Sequence, residues 1–478
     1  MADDALFPAR TRADWQAAAA KALKGRDPAE LVTSTLDGLE VMPLYTAEDS
    51  EGAVAVPRAP SGDPARPWDL RTLLDAADPA AANAQGREDL DGGAASLLVA
   101  IGDEGVQVGS RDDLARVLDG VLLDLAPVAL DAGFAGPQAA DWLADLAKGA
   151  PRAPLAFHLD PLSAFATAGA TPGPLADHVA LAARTAAAHA EAYPEASFFL
   201  ASGRAVHEAG GSKAQELGFA AAAAVAYARA LTDAGLPMAD AFARVTLGLS
   251  VDGEYFASLA KLRAARLIWA RLLTACGLPD APARIEARAS RRDLAAADAW
   301  TNLLRLTASA FAGAVGGADA VVLEPFTRPL GEADAFARRQ SRNIQLVLME
   351  ESHLGRVDDP AAGSWYLDEH ARELAEAGWC CFQKIEREGG AAQALRSGFV
   401  QAQVADVRAR REAALQEGSA VLLGVTRFPD PDGRKPTTAD APERSGGALD
   451  PRLPGEDDRC EPLAPVRLAA PFEAQETA

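Results

Sequence analysis

Ser197-Phe198-Phe199-Leu200-Ala201-Ser202 and Val245-Thr246-Leu247-Gly248-Leu249-Ser250 are short apolar runs, and each precedes a long segment, 214–234 or 256–276, with apolar side chains at i, i+3 and i+4. The first pattern is that of a strand buried on both faces and the second that of an amphipathic helix. Working outward, the alternation continues through the runs Ser96–Ile101, Pro127–Asp131 and Leu155–Asp160 on one side. On the other side come Ala283–Ala289, Ala320–Pro325 and Leu354–Asp358. Eight strand–helix units is the count that closes a (β/α)8 barrel, so the pattern predicts an α/β TIM barrel. A doubly wound open sheet uses the same units and stands as the alternative.

The flanks read differently. Residues 1–65 form an N-terminal arm, with a helix capped by Asp14, running through Leu23 and stopped by Gly25. The arm ends in the turn-rich stretch Pro57–Pro67 and carries Phe7, Trp15, Leu36, Leu39, Leu44 and Tyr45, too much apolar surface for a free segment. Residues 1–50 are therefore expected to carry a subunit contact, with cover for the chain's own barrel as the alternative. The barrel is expected over 66–428, closing with two long helices at 366–387 and 391–417. Residues 429–478, rich in Pro, Asp and Gly without periodicity, read as an irregular, linker-like tail.

Composition limits the function. The 478 residues are 49% hydrophobic and 24% charged, with a formal net charge of −22. Such a surface repels phosphate backbones and anionic lipid, which argues against nucleic-acid and membrane partners. No apolar run is long enough to span a membrane, and the acidic opening Met1-Ala2-Asp3-Asp4 is not a secretory signal. Four cysteines make no disulfide framework, so the cytoplasm is the expected compartment. Cys276, Cys380 and Cys381 read as small buried hydrophobes in helices, and Cys460 lies in the tail.

There is no P-loop, no G-x-S-x-G, no H-E-x-x-H and no C-x-x-C. Barrel enzymes work at the carboxyl ends of their strands. The predicted ends offer His158 and Asp160 after the third run, Arg204 and His207 after the fourth, and Asp252 after the fifth. Arg288 and Glu324 follow at the sixth and seventh. They read either as a convergent acid–base site or as a solvated rim of mutually paired polar groups. Every barrel has polar strand ends, so the rim reading carries more weight.

Several stretches resemble the methylmalonyl-CoA mutase family: Lys261-Leu262-Arg263-Ala264-Ala265-Arg266-Leu267-Ile268-Trp269-Ala270, Arg342–Leu346, Arg356–Ser364, Arg66-Pro67-Trp68 with Arg71, and Leu423-Gly424-Val425. Phe7-Pro8, Arg12–Trp15, Leu36–Leu39, Pro43–Thr46, Gly316–Ala320 and Arg467–Glu473 resemble the family's small, non-catalytic subunits in particular. The resemblance implies a barrel that takes acyl-CoA along its axis, against adenosylcobalamin held by a separate domain. It also implies a radical interconversion of methylmalonyl-CoA and succinyl-CoA in which the cofactor supplies the hard chemistry.

Carried over residue by residue, the resemblance finds the catalytic positions replaced. The family's tyrosine after R-P-W-x-x-R falls near Leu73. Its S-G-Y-H-x-x-E-A-G motif reads Ser202-Gly203-Arg204-Ala205-Val206-His207-Glu208-Ala209-Gly210, so Arg204 stands for tyrosine and Ala205 for the histidine that bonds the thioester carbonyl. The arginine that grips the substrate carboxylate aligns with Ala168, and a nearby glutamine aligns with His158. Alanine and leucine donate no side-chain hydrogen bond. Arg66 and Arg71 match residues that contact the CoA tail. His158, Arg204 and His207 rim the pseudo-site, where His207 reads first as a satisfied structural histidine and, as the alternative, as a loop residue that swings into the site. Asp368-Glu369-His370 begins like the cobalamin-ligating D-x-H-x-x-G, but Glu373 replaces the glycine and the setting reads as a solvated helix face.

The resemblance thus implies a chain that binds no cobalamin and no metal itself, lacks a cobalamin domain after the tail, and pairs as a heterodimer with a catalytic large subunit that carries adenosylcobalamin. Two other readings stand beside it: a catalytic barrel whose cobalamin domain lies on another chain, and a regulatory acyl-CoA-binding module.

Overall fold

The apolar runs meet in a closed ring, which settles the choice between a barrel and an open sheet. The computed structural model describes residues 10–49, 52, 54, 66–430, 432–440, 449 and 451–476. Phe7-Pro8 and most of the Pro57–Pro67 stretch lie outside the described residues. An arm hairpin pairs β1 (Thr33–Ser34) with β2 (Glu40–Val41). The barrel comprises β3 (Asp69–Leu74), β4 (Ser96–Ala100), β5 (Val128–Asp131), β6 (Ala156–Leu159), β7 (Ser197–Ser202), β8 (Val245–Val251), β9 (Arg284–Ala289) and β10 (Ala320–Val322). All neighbours are parallel, and β10 pairs with both β9 and β3 to close the ring.

Two strand expectations need correction. The first barrel strand is β3, upstream of the predicted first run, and Leu354–Asp358 is no strand: Leu354–Arg356 is a single 3-10 turn. The reason is alternation. Asp69, Arg71 and Leu73 face the bore while Leu70 and Leu74 face the helices, so β3 lacks the continuous apolar run that marks its neighbours. The 354–358 stretch packs elsewhere, with Gly355 so close to the chain entering β3 that an added Cβ would lie 2.2 Å from Pro67.

Other details differ locally. The first helix is Arg12–Ala22, capped by Thr11, and Asp14 is the return partner of a capping box rather than the cap. The predicted 391–417 helix breaks at Gly398, whose φ of +76° separates Ala391–Arg396 from Phe399–Gln416. Cys276 and Cys380 are exposed and Cys381 half-buried, not core residues.

The core lies between the ring and its helices, and inside the ring Leu98, Ala129, Ala156 and Val322 meet with Leu73. The helix Lys213–Asp233 packs against Trp365–Arg387 so closely that a Cβ on Gly218 would sit 2.5 Å from that of Cys381. The helix Tyr255–Ala275 buries three cations from the Lys261–Ala270 stretch. Lys261 pairs with Glu216. Arg263 reaches Asp359 (2.6 and 2.8 Å) and Asp368 (2.8 Å). Arg266 donates to the Ala283 carbonyl (2.6 Å) and to Asp319 (3.1 Å).

The tail lies against the carboxyl side of the barrel. Cys460 and Leu463 donate backbone bonds to Gly169 and Ala166, Val466 to Glu208 and Leu468 to Arg292, before a short helix Ala470–Glu476. In the arm, by contrast, no residue from 10 to 49 is fully buried, although Tyr45 packs on Tyr366 and Asp37 accepts from the Ala214 N–H.

Arg263 ties the 355–368 connection to the barrel. Removing one partner of a buried ion pair typically costs about 3–5 kcal/mol. Arg263→Met should therefore lower the urea-derived unfolding free energy by an amount of that order, whereas the exposed pair Arg26–Glu30 should tolerate Arg26→Met with a change below about 0.5 kcal/mol.

Candidate functional site

The bore of the barrel holds charge, not a channel. On β9, Arg284, Glu286 and Arg288 occupy every second position and so share one face. Glu286 accepts from Arg71 Nη1 at 2.6 Å through one oxygen and from Arg288 Nε at 2.7 Å through the other. Arg71 also bonds Asp69 (2.7 Å) and Ser96 (3.0 Å), and Arg288 reaches across to Asp131 at 2.7 Å. His158 Nδ1 lies 3.8 Å from Glu286. Residues of β3, β4, β5, β6 and β9 are thus linked across the axis, above a cavity of about 610 Å³ at the amino end lined by Arg66, Arg71 and His158.

Burial sets the protonation states. It pushes the Glu286 carboxyl upward, but the charges of Arg288, His158 and Arg71 outweigh it and hold the group well below the usual carboxylate range. Burial pulls the His158 imidazole down to about 4, so it is neutral at physiological pH. Its φ of +46° is a left-handed conformation uncommon for histidine.

At the carboxyl mouth Glu324, Asp252 and Asp160 are paired with other side chains rather than with one another, and the first two are buried rather than solvated. Glu324 accepts from Arg291 and Arg328, each at 2.9 Å. Burial pushes its carboxyl up, while those two arginines bring it down to about 2. Asp252 accepts from Arg292 at 3.2 Å and Lys213 at 3.3 Å. Asp160 caps the helix Pro161–Ala168 through the Ser163 N–H and accepts from Tyr227. Burial raises it to about 7.

His207 lies in the helical turn Arg204–Glu208, not on a mobile loop. It is fully buried, with Nε2 2.8 Å from Ser290 Oγ and Nδ1 3.3 Å from Glu216, so it is held away from any substrate. Arg204 forms no ion pair among the described residues, and burial pulls it down to about 10. Leu73 belongs to the apolar layer inside the ring. Ala168 is the exposed last residue of its helix, and Ala205 is half-buried. Arg66 donates to the Gly93 carbonyl at 3.3 Å. Sequence reading singled out Arg71, His158 and Arg288 but missed Glu286, Asp131 and Asp69, which join them. The every-second-residue charge of β9 was the available signal.

Every carboxylate of this bore network is engaged by a guanidinium, which leaves no free carboxylate base on the axis among the described residues. The residues present do not fit the family's ligands. The axial path for an acyl-CoA is occupied by the Arg71–Glu286–Arg288 link. His370, the candidate lower ligand for cobalamin, is 1% exposed and stacked on Tyr366 inside a helix, and Asp368 is buried against Arg263. The solvated-face expectation for this segment is therefore corrected. Among the described residues no group of three His, Cys, Asp or Glu is placed to hold a metal ion, and no helix is long and apolar enough to cross a membrane.

His158 gives a pH signature. Its folded pKa lies below the unfolded value, so its contribution is complete above about pH 6.5 and is lost as pH falls toward about 4. The urea-derived stability should fall over that window by on the order of 3 kcal/mol from this group, and His158→Gln should flatten the fall. An equally steep profile in the variant would reject the assignment.

The family model described as methylmalonyl-CoA mutase matches residues 34–445. The methylmalonyl-CoA mutase small subunit of Streptomyces virginiae is 40% identical over 446 residues, covering 89% of this chain and 71% of that protein. The small subunit of Propionibacterium freudenreichii subsp. shermanii is 30% identical over 473 residues, covering 92% and 72%. The large subunit of Streptomyces virginiae is 28% identical over 459 residues, covering 88% and 62%. With the barrel closed and its length matched, the chain belongs to the methylmalonyl-CoA mutase family.

Proposed function

We propose that this chain is the non-catalytic small subunit of an adenosylcobalamin-dependent methylmalonyl-CoA mutase, stabilising or organising a catalytic large subunit in a heterodimer. The observation that carries this reading is the bore. Where the resemblance calls for a path along the axis, Glu286 joins Arg71 and Arg288 across it, and the positions aligned with catalytic side chains hold Leu73, Ala168 and Ala205. The higher identity to small subunits than to the large one supports the same reading.

When bound, adenosylcobalamin supplies the radical that starts the rearrangement. In this reading it belongs to the partner, and this chain contributes no step of the reaction. Its contribution is a rigid surface. A catalytic barrel with a borrowed cobalamin domain would need donors for the thioester carbonyl and the carboxylate, which alanines cannot supply. Four cysteines without a disulfide suit the cytoplasm.

The arm supports a subunit contact. Trp15, Leu23, Leu36, Leu39, Val41, Leu44 and Tyr45 are at best half-buried on this chain alone, and Met42 is 42% exposed. Covering such side chains contributes about 25 cal/mol per Å² of apolar surface removed from water, offset in part by the costs of association.

Two outcomes are expected. The purified chain, supplied with adenosylcobalamin and methylmalonyl-CoA, should show no succinyl-CoA formation; turnover surviving removal of any trace large subunit rejects the proposal. Deleting residues 1–50 should leave a folded barrel, by circular dichroism and urea melting, that no longer retains the large subunit on a sizing column. Undiminished capture by a well-folded truncation removes the arm from the interface.

A further inference from the structure

A second cavity, of about 600 Å³, lies outside the bore at the carboxyl rim. The arm hairpin forms one side, and the helices Lys213–Asp233, Tyr255–Ala275, Trp365–Arg387 and the end of Phe399–Gln416 form the others. The volume is in the range of small-molecule sites, which combine mostly apolar walls with a few fixed polar groups. The walls here are aromatic: Tyr255, Phe256 and Tyr366, with Phe256 53% exposed.

The charged groups at its edge are unequal. Lys213 is satisfied by Asp252 and Glu254. Arg411 is not. It makes no ion pair among the described residues, its Nε has no acceptor, and Nη2 reaches only the Gly211 carbonyl, at 3.5 Å. Burial, with the charge of Arg292 added, lowers its pKa against the opposing charges of Glu254, Asp293 and Asp252, none of which reaches it as an ion pair. A guanidinium carries five donors, and leaving Nε buried without an acceptor is unfavourable unless a ligand supplies one. The helix Tyr255–Ala275 also starts at this cavity, and Glu254 gives its first turn no side-chain cap. The positive end of its dipole adds to the attraction for an anion.

We propose that this cavity binds a small amphiphilic organic anion, with a carboxylate or phosphate monoester on Arg411 and an apolar body against Tyr255, Phe256 and Tyr366. The site is separate from the barrel axis and does not depend on the subunit reading.

The test uses the full chain and isothermal titration with 4-phenylbutyrate, its uncharged counterpart 4-phenylbutanamide, and phenyl phosphate. Either anion should bind at least about tenfold more tightly than the amide, since charge-assisted bonds to arginine are the strong ones. Arg411→Met should abolish that preference. Phe256→Ser, at an exposed position that leaves the fold untouched, should weaken the anion and the amide by similar factors. The proposal is overturned if neither anion binds better than the amide, if Arg411→Met keeps the preference, or if Phe256→Ser leaves the affinities unchanged. The wild-type comparison and the Phe256 variant decide the matter even if Arg411→Met fails to fold.

Discussion

One carboxylate, Glu286, holds two guanidinium groups together across the axis of the barrel. Removing three charges from water is costly, and the arrangement persists because each oxygen of Glu286 has its own arginine while Asp69, Ser96 and Asp131 accept from further guanidinium donors, leaving Arg288 Nη2 buried without an acceptor. The link fixes the relative positions of β3, β5 and β9, and it determines what the interior is for. At the level of Glu286 the axis is bridged by ion pairs, with the cavity of about 610 Å³ confined to the amino side of that link. The replaced catalytic positions and the neutral, buried His158 are consistent with that one constraint.

The carboxyl mouth repeats the same physics at larger scale. Glu324, Asp252 and Glu208 each bind arginines or their backbone amides, and the tail lies over this rim with backbone bonds to Glu208 and Arg292. In the proposed reading the working surface lies on the flank of the barrel, not at the end where related folds do chemistry. There the arm leaves aromatic and aliphatic side chains half-covered, and there the Arg411 cavity opens.

The legibility of the sequence followed side-chain direction. Strands buried on both faces, such as Ser197–Ser202 and Val245–Val251, announce themselves as apolar runs. β3 did not, because its inward positions are Asp69 and Arg71, and the Leu354–Asp358 stretch took its place in the count. The expectation that Leu73 and Ala205 stand at catalytic positions comes from the motifs that flank them, Arg66-Pro67-Trp68 with Arg71 and Ser202–Gly210, whereas Ala168 has no such motif beside it. Glu286 was not readable, because its meaning comes from Arg71, distant in sequence and adjacent only after ring closure. Burial was misjudged at His370 and Asp368 for the same reason: a polar residue in a helical pattern reads as solvated until its packing partner is known.

The closed bore makes a direct claim about binding. Titrating the purified chain with succinyl-CoA and following the heat measures it without the partner or the cofactor. The account predicts no saturable one-to-one binding at the axis up to about 1 mM, a free energy weaker than about −4 kcal/mol, so that any heat from the Arg411 cavity is unchanged by Glu286→Gln. Stoichiometric binding in the micromolar range, strengthened when Glu286→Gln loosens the link across the axis, would contradict it.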